Sequence, residues 1–236
     1  MSSTINIEDL ELSKIFVVIP GYNEGEVLEK TVNEVTKLGY QVIYVDDCSR
    51  DNSWEISKQL NIYKVRHPLN LGQGGALQTG FELAKKLNAE IVVTFDSDGQ
   101  HDPHQIAKVI DPIIKNKAQV VLGSRFIEKD STINMPVKRK LLLRLATIFT
   151  SLTTGLKLTD THNGFRALSK SALDKIYLRQ NRMAHASEIL SLISENNLSY
   201  VEVPVTIRYT DYSLRKGQKM TNIINILWES FTGKLR

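Results

Sequence analysis

Five short apolar runs, spaced so that a helical pattern fits between each and the next, constrain this chain more than anything else in it. Ile15-Phe16-Val17-Val18-Ile19 and Ile91-Val92-Val93-Thr94-Phe95 read as buried strands, and Val42-Ile43-Tyr44-Val45, Tyr63-Lys64-Val65 and Val120-Val121-Leu122 as further strands. Helices are expected over 25–38, from a cap at Asp51 or Ser49 through Leu60, over 76–87, and from Asp102-Pro103 onward. Gly39 stops the first of them. Alternating strands and helices imply an α/β architecture: a mostly parallel central sheet with helices on both faces, three layers in all.

The second half changes character. Residues 136–154 read as a helix with Val137, Leu141, Leu145, Ile148, Phe149 and Leu152 on one face. Lys138, Arg139, Lys140 and Arg144 cluster near its start. A turn and short strand follow over 160–168, then a helix over 184–194 and an alternating strand over 201–207, where Pro204 suggests a sheet edge. After a polar loop, Met220, Ile223, Ile224, Leu227, Trp228 and Phe231 form the stripe of a last helix. Each amphipathic helix has two readings, a core helix or one lying at a membrane interface.

With 236 residues and 42% hydrophobic content, one large globular domain is expected, 1–236, with its halves meeting near residue 130. Cys48 is the only cysteine, which excludes a disulfide framework and a thiolate zinc site. Residues 1–14 lack the apolar core of a signal peptide, and no window approaches the ~20 apolar residues of a spanning helix. The net charge of +4 suits an anionic surface or a phosphorylated substrate. A cytoplasmic protein, peripheral at the inner face of the membrane, is the expected location.

Acidic residues recur where strands end: Glu24, Asp46, Asp47, Asp96 and Asp98. Open α/β sheets bind ligands outside the carboxyl ends of their strands. Asp96 and Asp98 are best tolerated there if a divalent cation shared with substrate phosphates lies between them. The other motifs exclude more than they suggest. Asn70-Leu71-Gly72-Gln73-Gly74-Gly75 lacks the Gly-Lys-Ser/Thr of a P-loop, and Leu77 stands where a dinucleotide fingerprint needs its third glycine. A tight turn into a helix is the expected reading. His101 and His104 read as surface residues at a helix start. No nucleophile elbow is present, and Gln100 with the fourth-strand position argues against an Asp96 phosphatase.

Taken together, Val18-Ile19-Pro20-Gly21-Tyr22-Asn23-Glu24, Val45-Asp46-Asp47-Cys48-Ser49, Asn70-Leu71-Gly72-Gln73-Gly74, Asp96-Ser97-Asp98-Gly99-Gln100, Gly123-Ser124-Arg125 and Gly164-Phe165-Arg166 resemble the family 2 glycosyltransferases. They occur in family order, and Asp96-x-Asp98-x-Gln100, Gly164-Phe165-Arg166 and the late Lys216-Gly217-Gln218 are most similar to the branch that loads sugars onto polyprenyl phosphates, the dolichol-phosphate mannose synthase type.

The resemblance implies a GT-A, Rossmann-like fold and an inverting transferase that uses Mg²⁺ or Mn²⁺. It implies that Pro20, Tyr22, Glu24, Val45 and Asp47 hold the base and ribose of a UDP- or GDP-hexose, with Ser97 beside them. Asp96, Asp98 and Gln100 would ligate the metal, and Asp98 with Arg125 would serve the chemistry. Arg125 would face the sugar or the acceptor phosphate and Arg139 the acceptor phosphate, while Arg208 and Lys216 would neutralise the leaving diphosphate.

Nucleic acid is not an expected partner; a polyprenyl (undecaprenyl) phosphate and a membrane surface or membrane protein are. Glucose from UDP-glucose, for cell-surface polysaccharide assembly, is the expected transfer. A saccharide hydroxyl acceptor would need a general base, for which Glu188 and Asp160 are the candidates. A phosphate monoester, largely dianionic at pH 7 with its second pKa near ~6, needs none.

Overall fold

The structure, a computed structural model, describes residues 12–128, 132–133, 137–161 and 163–208. The early strands and helices are β1 (Ile15–Gly21), α1 (Leu28–Lys37), β2 (Gln41–Asp46), α2 (Ser53–Gln59), β3 (Tyr63–Arg66), α3 (Gln73–Lys86) and β4 (Ile91–Thr94). Next come α4 (Ile106–Ile114), β5 (Val120–Ser124), β6 (Thr132–Ile133), α5 (Val137–Thr154) and β7 (Arg166–Ser169). The remaining elements are α6 (Lys170–Leu173), α7 (His185–Glu195), β8 (Tyr200–Pro204) and β9 (Ile207–Arg208).

Strand periodicity divides the core. Ile15, Val17 and Ile19 of β1 point to one face of the sheet and pack with Leu28, Val32 and Val35 of α1 and Ile106, Val109 and Ile110 of α4. Phe16 and Val18 point to the other, against Ala76, Leu77 and Phe81 of α3 and Ile189 and Leu190 of α7. Because both faces are covered, β1, β2 and β4 carry apolar residues at nearly every position rather than at alternate ones, whereas β3 at the sheet edge is half-exposed.

The main sheet has seven strands in the order β3-β2-β1-β4-β7-β5-β8. β1, β2, β3 and β4 are parallel, as are β5 and β8. β7 runs antiparallel to both its neighbours, which a purely parallel reading of the alternation does not foresee. Its first residue, Arg166, pairs with Thr94 and Leu122, so the chain enters the sheet at the end where β4 and β5 leave it. Entering from that edge, the strand can only run backwards. Pro204 does lie on an edge strand, where its missing N–H leaves no ladder bond unmade. Successive strands leave β1 in opposite directions, β2 to one side and β4 to the other. The crevice at that switch point is where such sheets hold ligands.

Three helices differ from expectation, α3 by starting at Gln73, three residues early. α1 starts three residues late, because the Glu24 carbonyl accepts from Val27 and Leu28 N–H in a turn and Gly25 N–H is tied to Asp51. In α5 the described members of the stripe, Leu145, Ile148 and Leu152, are exposed, while Leu143, Ala146, Thr147 and Thr150 are buried. The small and polar face packs inward because Thr147 and Thr154 return their hydroxyls to carbonyls one turn back, at Leu143 and Thr150.

Candidate active site

At the switch point lies a cavity of about 620 Å³. β1 and the turn after it contribute Pro20, Tyr22 and Glu24; β4 and its following loop contribute Asp96, Ser97, Asp98 and Gln100; Asp47 and Arg125 follow β2 and β5. Nine of the residues expected from the sequence therefore face one space. The others sit elsewhere. Val45 is fully buried in β2, Arg208 is exposed on β9 beside the cavity-lining Ile207, Arg139 belongs to α5, and Lys216 lies outside the described residues.

The glycine loop is a turn into a helix, and Asp47 explains why. Its carboxylate accepts from Leu71 N–H at 2.9 Å, Gly72 N–H at 2.6 Å and the His67 ring at 2.8 Å. Gly72 has φ +95° and the carbonyl of Asn181 against its α-carbon, where a side chain would not fit. Gly75 N–H goes to that same carbonyl. The N–H groups of Leu71, Gly72 and Gly75 are thus already bonded within the protein.

Asp96 is held from two sides. Gln73 Nε2 donates to its Oδ1 at 2.8 Å, and His101 Nε2 lies 3.1 Å from its Oδ2. The side chain is 31% exposed, but to the cavity. Burial pushes its pKa up, yet the His101 hydrogen bond and charge, with His185 and Arg166 beyond, bring it below the usual carboxylate range. Asp98 goes the other way. Burial and the Asp96 charge raise it to about 6.

His101 corrects the surface reading of the His-Asp-Pro-His run. It is 7% exposed, between the rings of Phe95 and Phe165 at 5.3 and 5.0 Å, and it bridges to Ile207. Only Asp102 and His104 behave as a helix start, the Asp102 carboxylate accepting from His104 N–H. A polar ring five residues after Asp96 was a signal, but periodicity does not separate a ring that folds back from one that points to solvent.

Arg125 has a partner that the sequence reading did not give it. Its Nε and Nη2 donate to the two oxygens of Asp160 at 2.6 and 2.7 Å, a side-on fork that is almost wholly buried. Arg166, also buried, donates to the carbonyls of Asn163, Thr161 and Ala186. Burial lowers its pKa to about 10, so it remains a cation at neutral pH. Glu188 accepts from Arg179 and Gln180 N–H, which pins the loop that carries Arg182 and Met183 to the cavity wall. Those two residues and Asn163 line the cavity without having been singled out in the sequence, and so do Asn70 and Gln73 of the glycine loop, to which the sequence reading gave no role at the site.

The family description "Glycosyl transferase family 2" matches residues 16–177. The chain belongs to this family. The transferase is 38% identical over 230 residues to the UDP-N-acetylglucosamine–dolichyl-phosphate N-acetylglucosaminyltransferase of Methanococcus voltae, covering 89% of this chain and 90% of that one. It is 32% identical to the dolichol-phosphate mannosyltransferase of Pyrococcus furiosus, over 87% of this chain and 60% of that protein. Among solved structures, glucosyl-3-phosphoglycerate synthase of Mycobacterium tuberculosis with Mn²⁺, UDP and phosphoglyceric acid superposes with a TM-score of 0.72. That match spans 98% of this chain and 82% of the other at 17% identity, so it speaks for the fold.

The donor set suits a hard divalent cation. Asp96 and Asp98 offer carboxylate oxygens, and the upward shift of Asp98 is of the kind a nearby cation reverses. Among the described residues no three His, Cys, Asp or Glu side chains converge on one point. A cation held by Asp96 and Asp98 would therefore need further oxygens, of the kind substrate phosphates offer.

Proposed function

We propose that this glycosyltransferase moves a hexosyl unit from a UDP-sugar to a polyprenyl phosphate, with inversion, at the cytoplasmic face of a membrane. The observation that carries the lipid-phosphate acceptor is the state of the two candidate bases. Asp160 is paired with Arg125, and Glu188 caps backbone N–H groups of 179 and 180, so neither is free to deprotonate a hydroxyl. An acceptor that arrives as an anion removes the need. The names of the relatives from Methanococcus voltae and Pyrococcus furiosus support the same acceptor class.

In this reading Pro20, Tyr22 and Glu24 receive the nucleoside, while Asp47 shapes its pocket by holding the glycine loop. Asp96, Asp98 and Gln100 hold Mg²⁺ or Mn²⁺, which supplies charge neutralisation for the departing diphosphate. His101 and Gln73 keep Asp96 ionised and aimed. Arg208 and Lys216 assist at the diphosphate, and Arg125 with Arg139 draws the acceptor phosphate. The exposed Leu145, Ile148 and Leu152 of α5, beside its basic start, support contact with an anionic bilayer. No helix among the described residues is long and apolar enough to cross one.

The test is nucleotide release from UDP-glucose, UDP-N-acetylglucosamine and GDP-mannose, with and without polyprenyl phosphate, in Mn²⁺ or EDTA. Release that rises only with lipid phosphate and metal supports the proposal, and the active sugar decides between the glucose expected from sequence and the N-acetylglucosamine of the relative. Release driven by a free saccharide instead would replace the lipid with a hydroxyl acceptor.

A further inference from the structure

One buried donor in the cavity wall has no acceptor. Asn163 is 4% exposed and lines the cavity, and its Nδ2 forms no hydrogen bond with any described residue. Which end of the amide is bare follows from its neighbour. Phe165 N–H donates to Asn163 Oδ1 at 3.0 Å, and a flipped amide would set two donors against each other. The free end is therefore the NH₂.

Everything around that group holds it still. Arg166 Nε donates to the Asn163 carbonyl at 3.1 Å, and Thr94 Oγ1 donates to the Gly164 carbonyl next in the chain. Gly164 packs so closely on Asp96 that a Cβ there would lie 2.6 Å from Asp96 Oδ2. The bare amide is thus one residue from the backbone that touches the carboxylate assigned to the metal, on the same wall as Asp98 and Arg125. Buried side-chain donors are nearly always paired, and leaving one bare is costly unless a ligand pairs it.

We propose that Asn163 is a specificity-determining residue of the donor site, its Nδ2–H donating to an acceptor oxygen of the sugar being transferred, a ring hydroxyl or an acetamido carbonyl. This rests on the nucleotide-sugar reading above. Fixed by Arg166 and Phe165, the amide needs no reorganisation to meet the sugar, which is what makes one neutral hydrogen bond discriminating. It also accounts for the Gly164-Phe165-Arg166 run that follows it: these residues hold the Asn163 backbone and side chain in place.

The experiment compares wild type with Asn163→Asp and Asn163→Ser, both of which keep an oxygen for Phe165 N–H and lose the amide donor. Binding of UDP alone and of UDP-glucose, UDP-N-acetylglucosamine and GDP-mannose is measured with Mn²⁺. For the preferred sugar nucleotide, both variants are expected to bind about tenfold more weakly, while affinity for UDP changes less than twofold. Equal losses for UDP and UDP-sugar would make Asn163 a structural residue, and unchanged binding of both would leave its amide without a substrate role; either overturns the proposal. A wild-type protein that binds none of the sugar nucleotides would instead overturn the donor reading on which it rests.

Discussion

At the scale of single residues, two carboxylates two positions apart are pushed in opposite directions, Asp96 below the usual carboxylate range and Asp98 up to about 6. Among the described residues Asp96 has two side-chain partners, Gln73 and His101, whereas the Asp98 carboxylate accepts from Gln100 N–H. Each oxygen of Asp96 still has a lone pair to offer, so the hydrogen bonds orient a ligand without using it up. His101→Ala is therefore expected to weaken Mn²⁺ binding about tenfold, read by titration of the free ion signal in electron paramagnetic resonance. His101→Gln, which can present an amide donor at a similar reach, should recover most of that loss. Metal affinity unaltered in the alanine variant would show that the ring only fills space between Phe95 and Phe165.

Elements carry the next level of argument, and α5 is the one whose environment matters most. Its outward Leu145, Ile148 and Leu152 follow a basic first turn of Lys138, Arg139 and Lys140, with no acidic residue in that turn. Replacing the three apolar residues with Ser is expected to lower sedimentation with anionic phosphatidylglycerol vesicles severalfold, since each buries up to about 1.5–3 kcal/mol of apolar surface when it enters a bilayer interface. Binding of UDP-sugar in solution should not change. Unaltered vesicle association would return the stripe to an ordinary protein contact.

The same helix marks where sequence legibility ended. Apolar periodicity identified the helix but not the direction of its stripe, because Thr147 and Thr150 make an inward face no hydropathy pattern predicts. Strand positions and the acid-bearing strand ends were legible, since parallel strands buried on both faces leave an unmistakable run and their loops must carry the function. The reversal of β7, the Arg125–Asp160 pair and the inward turn of His101 were not, because each depends on contacts between segments far apart in the chain.

For the molecule as a whole, the switch point makes stability and function draw on the same charges. Two buried groups oppose one another as pH falls. His185 has its pKa lowered to about 4, chiefly by burial, so the unfolded chain binds its proton first and stability is lost as pH drops below ~6.5. Asp98, raised to about 6, has the reverse sign: the folded state binds its proton first. The destabilisation is full above pH ~6 and fades as pH falls toward the unfolded value near ~3.9. It is on the order of 1–2 kcal/mol, allowing for the opening of Asp98 into the cavity.

Comparing wild type with Asp98→Asn isolates this group, because His185 and the rest of the chain are common to both. Without metal, Asp98→Asn should be the more stable protein at pH 7.5, by a few degrees in Tm for a domain of this size, and the gap should narrow to about half at pH 5 and close only near pH ~4. With Mn²⁺ and UDP the order should invert, since a ligand that binds only the folded wild type raises its Tm and finds half of its carboxylate pair missing in the variant. Melting curves at the two pH values, with and without metal and nucleotide, read both effects in one series. A gap that stays constant with pH would mean that the strain at Asp98 is not electrostatic. A variant stabilised by Mn²⁺ and UDP as much as wild type would remove Asp98 from the metal site.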